Sequence, residues 1–209
     1  MIRVVVVTDR KLYGSEEIAG RVAAMLATAP RGSVLIQVRE KDLDGGPLLR
    51  LVHEVLEVAK PAGAPVWVND RVDVALAAGA DGVHLPEHGL SIADARAAAS
   101  AVGRELAIGC SRHTPESVAA AAEQGAELVQ YGPVWPTPGK GPPIGVDALK
   151  LKIPARLVAI GGIDGPARAR HAALAGADAV AVLRAAWQGI PDVIGRLVEA
   201  VDAGVHARP

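Results

Sequence analysis

Three segments of the chain restate one pattern: "GADGVHL" from Gly79, "GAELVQYG" from Gly125 and "GADAVAVL" from Gly176, each behind an alanine-rich helical stretch. A helix that stops at glycine and hands over to an apolar strand, repeated every few tens of residues, restricts the chain to alternating β and α units. Extended into the gaps, the pattern places apolar strands at about 2–8, 33–39, 65–69, 82–85, 106–109, 127–132, 156–160 and 179–183. Helical patterns lie between them, including "EEIAGRVAAMLATA", "PLLRLVHEVLEVAK", "SIADARAAASAV" and "PESVAAAAEQ"; the second carries Leu48, Leu51, Val52 and Val55 at helical spacing. Continuous Val/Ile/Leu strands alternating with helices mean a parallel sheet covered on both faces. Eight units close into a (β/α)8 TIM barrel, expected here as a single domain over 1–209. The rival, an open doubly wound sheet, wants G-x-G-x-x-G after the first strand, and "VTDRKLYGS" has none.

A barrel gathers the residues that close its strands at one mouth, so these can be read together although they lie far apart in sequence. They are Thr8 and Asp9; Gln37, Arg39 and Lys41 in "QVREK"; Asn69 and Asp70 in "NDR"; His84 and then "PEHG"; Ser111 and His113 in "GCSRH"; the loop "GPVWPTPGK"; Gly161 and Gly162 in "AIGGI"; and Arg184. Glycines and a basic residue after the last two strands suit a phosphate, although "GGI" also serves as a plain tight turn. Lys140 sits in "GPVWPTPGKGPPIG" (132–145), a Gly/Pro stretch that can be neither helix nor central strand and reads as a working loop. Asn69 and Asp70 either orient a ligand or hold Mg²⁺, or make an Asx turn into the next helix. His113 suits general acid/base work, whereas His84, between Val83 and Leu85, reads as a buried, hydrogen-bonded histidine.

The charge balance, 22 basic against 23 acidic residues, offers no footprint for nucleic acid or a membrane surface. No apolar run approaches a membrane span of roughly 20 residues. The start does not read as a signal peptide, and the lone Cys110 can form no internal disulfide, which points to the cytoplasm. The sequence leaves the oligomeric state open, a homo-oligomer included.

In this order the stretches "VTD", "QVREK", "NDRVDVALAAGADGVHL", "IGCSRHTPES", "GPVWPTPGK", "AIGGI" and "GADAVAVL" resemble the thiamine phosphate synthase superfamily, which includes thiazole tautomerases of the TenI type. The resemblance runs over nearly the whole chain and implies a barrel that binds a thiazole ethyl phosphate near Gly161, Gly162 and Arg184. In the synthase branch it implies that Gln37, Arg39, Lys41, Asn69, Ser111, Thr137 and Lys140 hold a pyrimidine diphosphate, with Asp70 on Mg²⁺. The second metal aspartate of that branch falls on Gly89, and the hydroxyl of its "PTxTK" loop on Gly139. These departures, with "HLPE" and "GKGPPIG", favour the tautomerase branch. There a carboxylated thiazole phosphate is aromatised by a proton shift with His113 as the base and no metal required. The expectation is therefore a tautomerase. The alternatives are a Mg²⁺-dependent synthase, in which Glu87 or His88 could rebuild a metal site, and a non-catalytic thiazole phosphate-binding or regulatory protein.

Overall fold

The computed structural model describes residues 1–13, 17–189 and 192–208. Eight parallel strands close on themselves in sequence order: β1 (Val4–Val7), β2 (Val34–Val38), β3 (Val66–Asn69), β4 (Gly82–Leu85), β5 (Ala107–Arg112), β6 (Leu128–Tyr131), β7 (Arg156–Ile160) and β8 (Ala179–Val182). Closure is sealed where Val4 of β1 pairs with Val34 of β2 on one side and Val180 of β8 on the other. The described helices are α1 (Arg10–Tyr13), α2 (Ile18–Leu26), α3 (Gly45–Ala59), α4 (Val72–Ala78), α5 (Ile92–Ala101), α6 (Pro115–Glu123), α7 (Pro166–Ala175), α8 (Arg184–Gln188) and α9 (Val193–His206). The TIM barrel read from the sequence is thus the fold observed.

Local chemistry explains the elements. Alternate strand residues face opposite ways, so Val4, Val6, Val34 and Ile36 pack against helices, while Val5, Leu35, Trp67, Leu128, Val158 and Ala181 fill the barrel. Trp67 is too large for a uniform layer. Its indole lies over two glycines of neighbouring strands, where a Cβ on Gly82 would come within 2.6 Å of Nε1 and one on Gly109 within 2.5 Å of Cζ3. The apolar face read for α3 is the buried one, Leu48, Leu51, Val52 and Val55. Thr114 opens α6 with a reciprocal cap to Ser117, followed by Pro115 in the first turn. The reading of a helix from Glu16 is met from Ile18 onward; Glu16 itself lies outside the described residues.

One crossover departs from the rest. Between β6 and β7 there is no α-helix, only a 3₁₀ turn at Val146–Leu149 after the Gly/Pro stretch. Five prolines remove backbone donors there, so the chain spends the crossover on a loop over the barrel mouth. Among the described residues no helix is long and apolar enough to cross a membrane.

Candidate active site

At the C-terminal mouth, side chains from three strands form a polar chain inside the barrel. The Gln130 amide donates to Gln37 Oε1 at 2.6 Å, and the Gln37 amide donates to Asn69 Oδ1 at 3.1 Å. Gln37 and Gln130 are both 2% exposed, so each fixes the other's orientation. The Asn69 amide nitrogen has no acceptor among the described residues. Beside it, Thr8 Oγ1 donates to Glu40 Oε1 at 2.6 Å and accepts from the Arg39 amide at 2.9 Å, while the Arg10 amide donates to the same carboxylate. Burial pushes the Glu40 carboxyl pKa up. This clamp pins the backbone of "QVREK" and sets where Arg39 and Lys41 emerge.

The charges at this mouth are left unmatched. Among the described residues, Arg39, Lys41, Lys140 and Arg184 have no carboxylate within ion-pairing distance, whereas Arg10 pairs with Asp42 at 2.7 Å and Arg71 with Asp73 at 2.6 Å. Although its charge is felt by the neighbouring Arg71 guanidinium, which pairs with Asp73, Asp70 likewise forms no ion pair among the described residues. Its backbone sits at φ 67°, the left-handed region, and it stands alone in this among the described non-glycine residues. The Asp70 amide donates to the His84 carbonyl at 2.9 Å and its carbonyl accepts from the Val72 amide at 3.1 Å, so two flanking segments hold the turn. Lys41, Asn69 and Asp70 line a cavity of about 210 Å³ with Glu40, Leu43, Leu48 and Arg71. Gly89 lies against it: a Cβ there would stand 3.0 Å from Asp70 Oδ1.

The Gly/Pro loop packs onto the turn after β7. The Val134 amide donates to the Ile160 carbonyl at 2.9 Å and the Trp135 amide to the Gly161 carbonyl at 3.1 Å. Gly161 (φ 97°) and Gly162 (φ 68°) must be glycines for this approach, since a Cβ would lie 2.6 Å from Pro133 Cα and from Trp135 Cβ respectively. Their amides have no acceptor among the described residues and remain available to an anion. Thr137 Oγ1 donates to the Trp135 carbonyl at 2.9 Å, and the Lys140 amide to the Thr137 carbonyl at 3.1 Å, so the loop presents Lys140 on a braced turn. Arg184 is exposed at the start of α8.

His113 belongs to the scaffold of this loop. Its Nδ1 lies 2.5 Å from the Gly132 carbonyl, which can only accept, so Nδ1 carries a proton; Nε2 faces Glu87 Oε2 at 3.6 Å. Glu87 thus turns to His113, and His88 is exposed; among the described residues no group of three His, Cys, Asp or Glu side chains could hold a metal.

His84 is 1% exposed, with Nε2 2.8 Å from Ser111 Oγ. Burial holds its pKa down to about 3 against an ordinary 6.5, and the guanidinium groups of Arg112 and Arg39 push the same way. Above pH 6.5 the imidazole is neutral folded or unfolded and nothing is lost. Between there and pH 3 only the unfolded chain takes up the proton, so stability falls by about 1.4 kcal/mol per pH unit. Urea unfolding of the wild type and His84→Gln between pH 7 and pH 5 should show the wild type losing more, by about 2 kcal/mol at the acid end. Parallel pH dependences would contradict this.

Of the residues read from the sequence, the structure brings Gln37, Arg39, Lys41, Asn69, Asp70 and Ser111 to one mouth, with the loop bearing Thr137 and Lys140 packed onto Gly161 and Gly162 at its β7–β8 side, where Arg184 opens α8. Ser111 lies within β5, which runs further than the reading of 106–109. Gln130 and the Thr8–Glu40 clamp were missed. A glutamine inside the apolar run "LVQY" was the available signal for the first.

The family model described as thiamine monophosphate synthase matches residues 4–186. The thiamine-phosphate synthase of Anaeromyxobacter dehalogenans is 40% identical over 200 residues, 91% of this chain and 87% of that one. That of Roseiflexus sp. is 36% identical over 212 residues, covering 98% and 84%. Among solved structures, the thiamine phosphate pyrophosphorylase from Pyrococcus furiosus superposes with a TM-score of 0.83 at 29% identity, covering 98% of this chain and 97% of that one. These likenesses overturn the tautomerase, and with it the isomerase, expected from Gly89 and Gly139. Two missing side chains were weighed above the retained residues of "QVREK" and "NDR", and Mg²⁺ needs only one or two protein carboxylates when phosphates and water complete its shell. The base role expected of His113 falls with that reading, and the match of the family model over nearly the whole barrel, with relatives at 36–40% identity, decides the family: this chain belongs to the thiamine monophosphate synthase family.

Proposed function

We propose that the protein is a transferase that couples an aminopyrimidine methyl diphosphate to a thiazole phosphate, forming thiamine phosphate and releasing diphosphate with Mg²⁺ present. The observation that carries this reading is the set of charges outside any ion pair at one mouth, the cations Arg39, Lys41, Lys140 and Arg184 and the carboxylate of Asp70. Cations without carboxylate partners fit polyanionic ligands, and a carboxylate without a cation fits a divalent metal that rides on one of them. The names of the relatives agree with it.

In this reading Arg39, Lys41 and Lys140 hold the diphosphate, Thr137, whose hydroxyl donates to the Trp135 carbonyl, braces the turn that carries Lys140, and Gln37, Asn69 and Ser111 orient the pyrimidine. The Gly161 and Gly162 amides with Arg184 take the thiazole phosphate. The thiazole nitrogen gives its lone pair to the pyrimidine methylene carbon as the C–O bond breaks, and that electron pair leaves on the diphosphate oxygen; the ring nitrogen ends positively charged. The chain's part is to align nitrogen, carbon and leaving oxygen and to surround the departing charge with fixed cations.

The donor set at Asp70 fits a metal held jointly with substrate. The carboxylate is exposed and outside any ion pair, and glycine at position 89 keeps a side chain from Oδ1, since a Cβ there would stand 3.0 Å from it and 2.8 Å from Pro86 Cδ. Asp70 and diphosphate oxygens would hold Mg²⁺, which would neutralise charge on the leaving group. A buried free thiol, Cys110, is compatible with a reducing cytoplasm.

Incubation of the purified protein with both substrates tests the proposal. Thiamine phosphate and diphosphate should appear in equal amounts with Mg²⁺ and cease to form when the metal is chelated. No product from that pair would sink it.

A further inference from the structure

We infer that His84 is a positioning residue that fixes the Ser111 hydroxyl as a hydrogen-bond donor toward the substrate; the inference rests on the proposed function and adds a residue to its site. His84 lies on β4 with its ring inside the barrel, beside Asn69 on one neighbouring strand and Gly109 on the other. Its Nε2 has one contact, Ser111 Oγ at 2.8 Å, and its Nδ1 is buried without a hydrogen-bond partner. The wall near Nδ1 is backbone and indole: a Cβ on Gly109 would lie 3.1 Å from Nδ1 and 2.5 Å from Trp67 Cζ3.

A neutral imidazole carries one N–H. With the proton on Nδ1, a donor would be buried with nothing to accept it, and Ser111 would spend its own proton on Nε2. With the proton on Nε2, that N–H is satisfied by Ser111 Oγ, and the atom left unpaired is a bare lone pair. Orphaned buried N–H groups are the rarer and costlier case. The imidazolium would bury a charge and still leave the Nδ1–H without an acceptor. The Nε2–H form therefore prevails and occupies a lone pair of Ser111 Oγ. Ser111 is half-buried near the end of β5, so its free hydroxyl proton is directed to an acceptor in the mouth, a ring nitrogen or a phosphate oxygen of the pyrimidine diphosphate.

Long-range ¹H–¹⁵N spectra of histidine-labelled protein read the tautomer without reference to activity. His84 should show a pyrrole-type Nε2 and a pyridine-type Nδ1; the reverse overturns the inference. In the coupling assay, Ser111→Ala and His84→Leu should each raise KM for the pyrimidine diphosphate about 10-fold, the loss of one hydrogen bond. The double variant should cost no more than either alone. Additive losses would make the His84 effect one of packing and would overturn the inference. His84→Gln, whose amide N–H can take the place of Nε2–H, should keep KM within about 3-fold, below the loss of a full hydrogen bond; a 10-fold rise there would also overturn it. This variant answers the question should His84→Leu fail to fold. Absence of any coupling by the wild type would count against the function, while the spectra still decide the tautomer.

Discussion

Asp70→Asn is expected to lower thiamine phosphate formation by about 10²–10³-fold while leaving the fold intact. Asparagine matches the shape of aspartate and shares its tolerance of the left-handed region, so the backbone at φ 67° and its bonds to His84 and Val72 survive. What disappears is the charge. Neither neighbouring carboxylate is placed to compensate: Glu40, which lines the same cavity, is held by the Thr8 hydroxyl and the Arg10 amide, and Glu87 faces His113, while position 89 carries no side chain. Steady-state kcat at saturating substrates, with thermal unfolding of both proteins, checks this. A loss below about 10-fold, short of one electrostatic contact in a transition state, would mean that Asp70 is not the site's metal-facing group.

Gly161→Ala is expected to act through the loop. The new Cβ would have to adopt φ 97° and would lie 2.6 Å from Pro133 Cα, a backbone atom that cannot move without taking residues 132–145 along. Backbone strain and overpacking together should cost about 3 kcal/mol. A shift of the loop by about 1 Å displaces Lys140 from the diphosphate and should cost on the order of 10²-fold in kcat/KM. Gly141→Ala in the same loop is the control. A Cβ there meets nothing within 4 Å, so stability should hold within about 0.5 kcal/mol. Denaturant midpoints and kcat/KM of the two variants test the pair; equal effects would show that the clash at Pro133 does not govern the loop.

The barrel was legible because its strands are short apolar runs set off by glycines and separated by helices with one buried stripe. The stretch 132–145 was legible as a loop, but the pattern of eight alternating units did not announce that the crossover between β6 and β7 would hold no α-helix. The strand ends gave the candidate site nearly whole, since closure of a parallel barrel converts sequence position into a shared mouth. Partnerships across the barrel were not legible: the Gln130–Gln37–Asn69 chain joins residues from β6, β2 and β3, and no local pattern announces which interior side chains will meet. The double role of Gly161 and Gly162, whose bare backbone admits the Gly/Pro loop and leaves amides open, also required coordinates. The reaction was misread for a chemical reason. The glycines at positions 89 and 139 were taken as lost function, although oxygens brought by the substrate can complete a magnesium shell.

The most direct test of the site is a crystal structure of the protein grown with inorganic diphosphate and Mg²⁺. The account expects the diphosphate under the Gly/Pro loop, contacted by Arg39, Lys41 and Lys140, with the metal between it and Asp70. Diphosphate bound only at Gly161, Gly162 and Arg184, or a metal that does not touch Asp70, would contradict it.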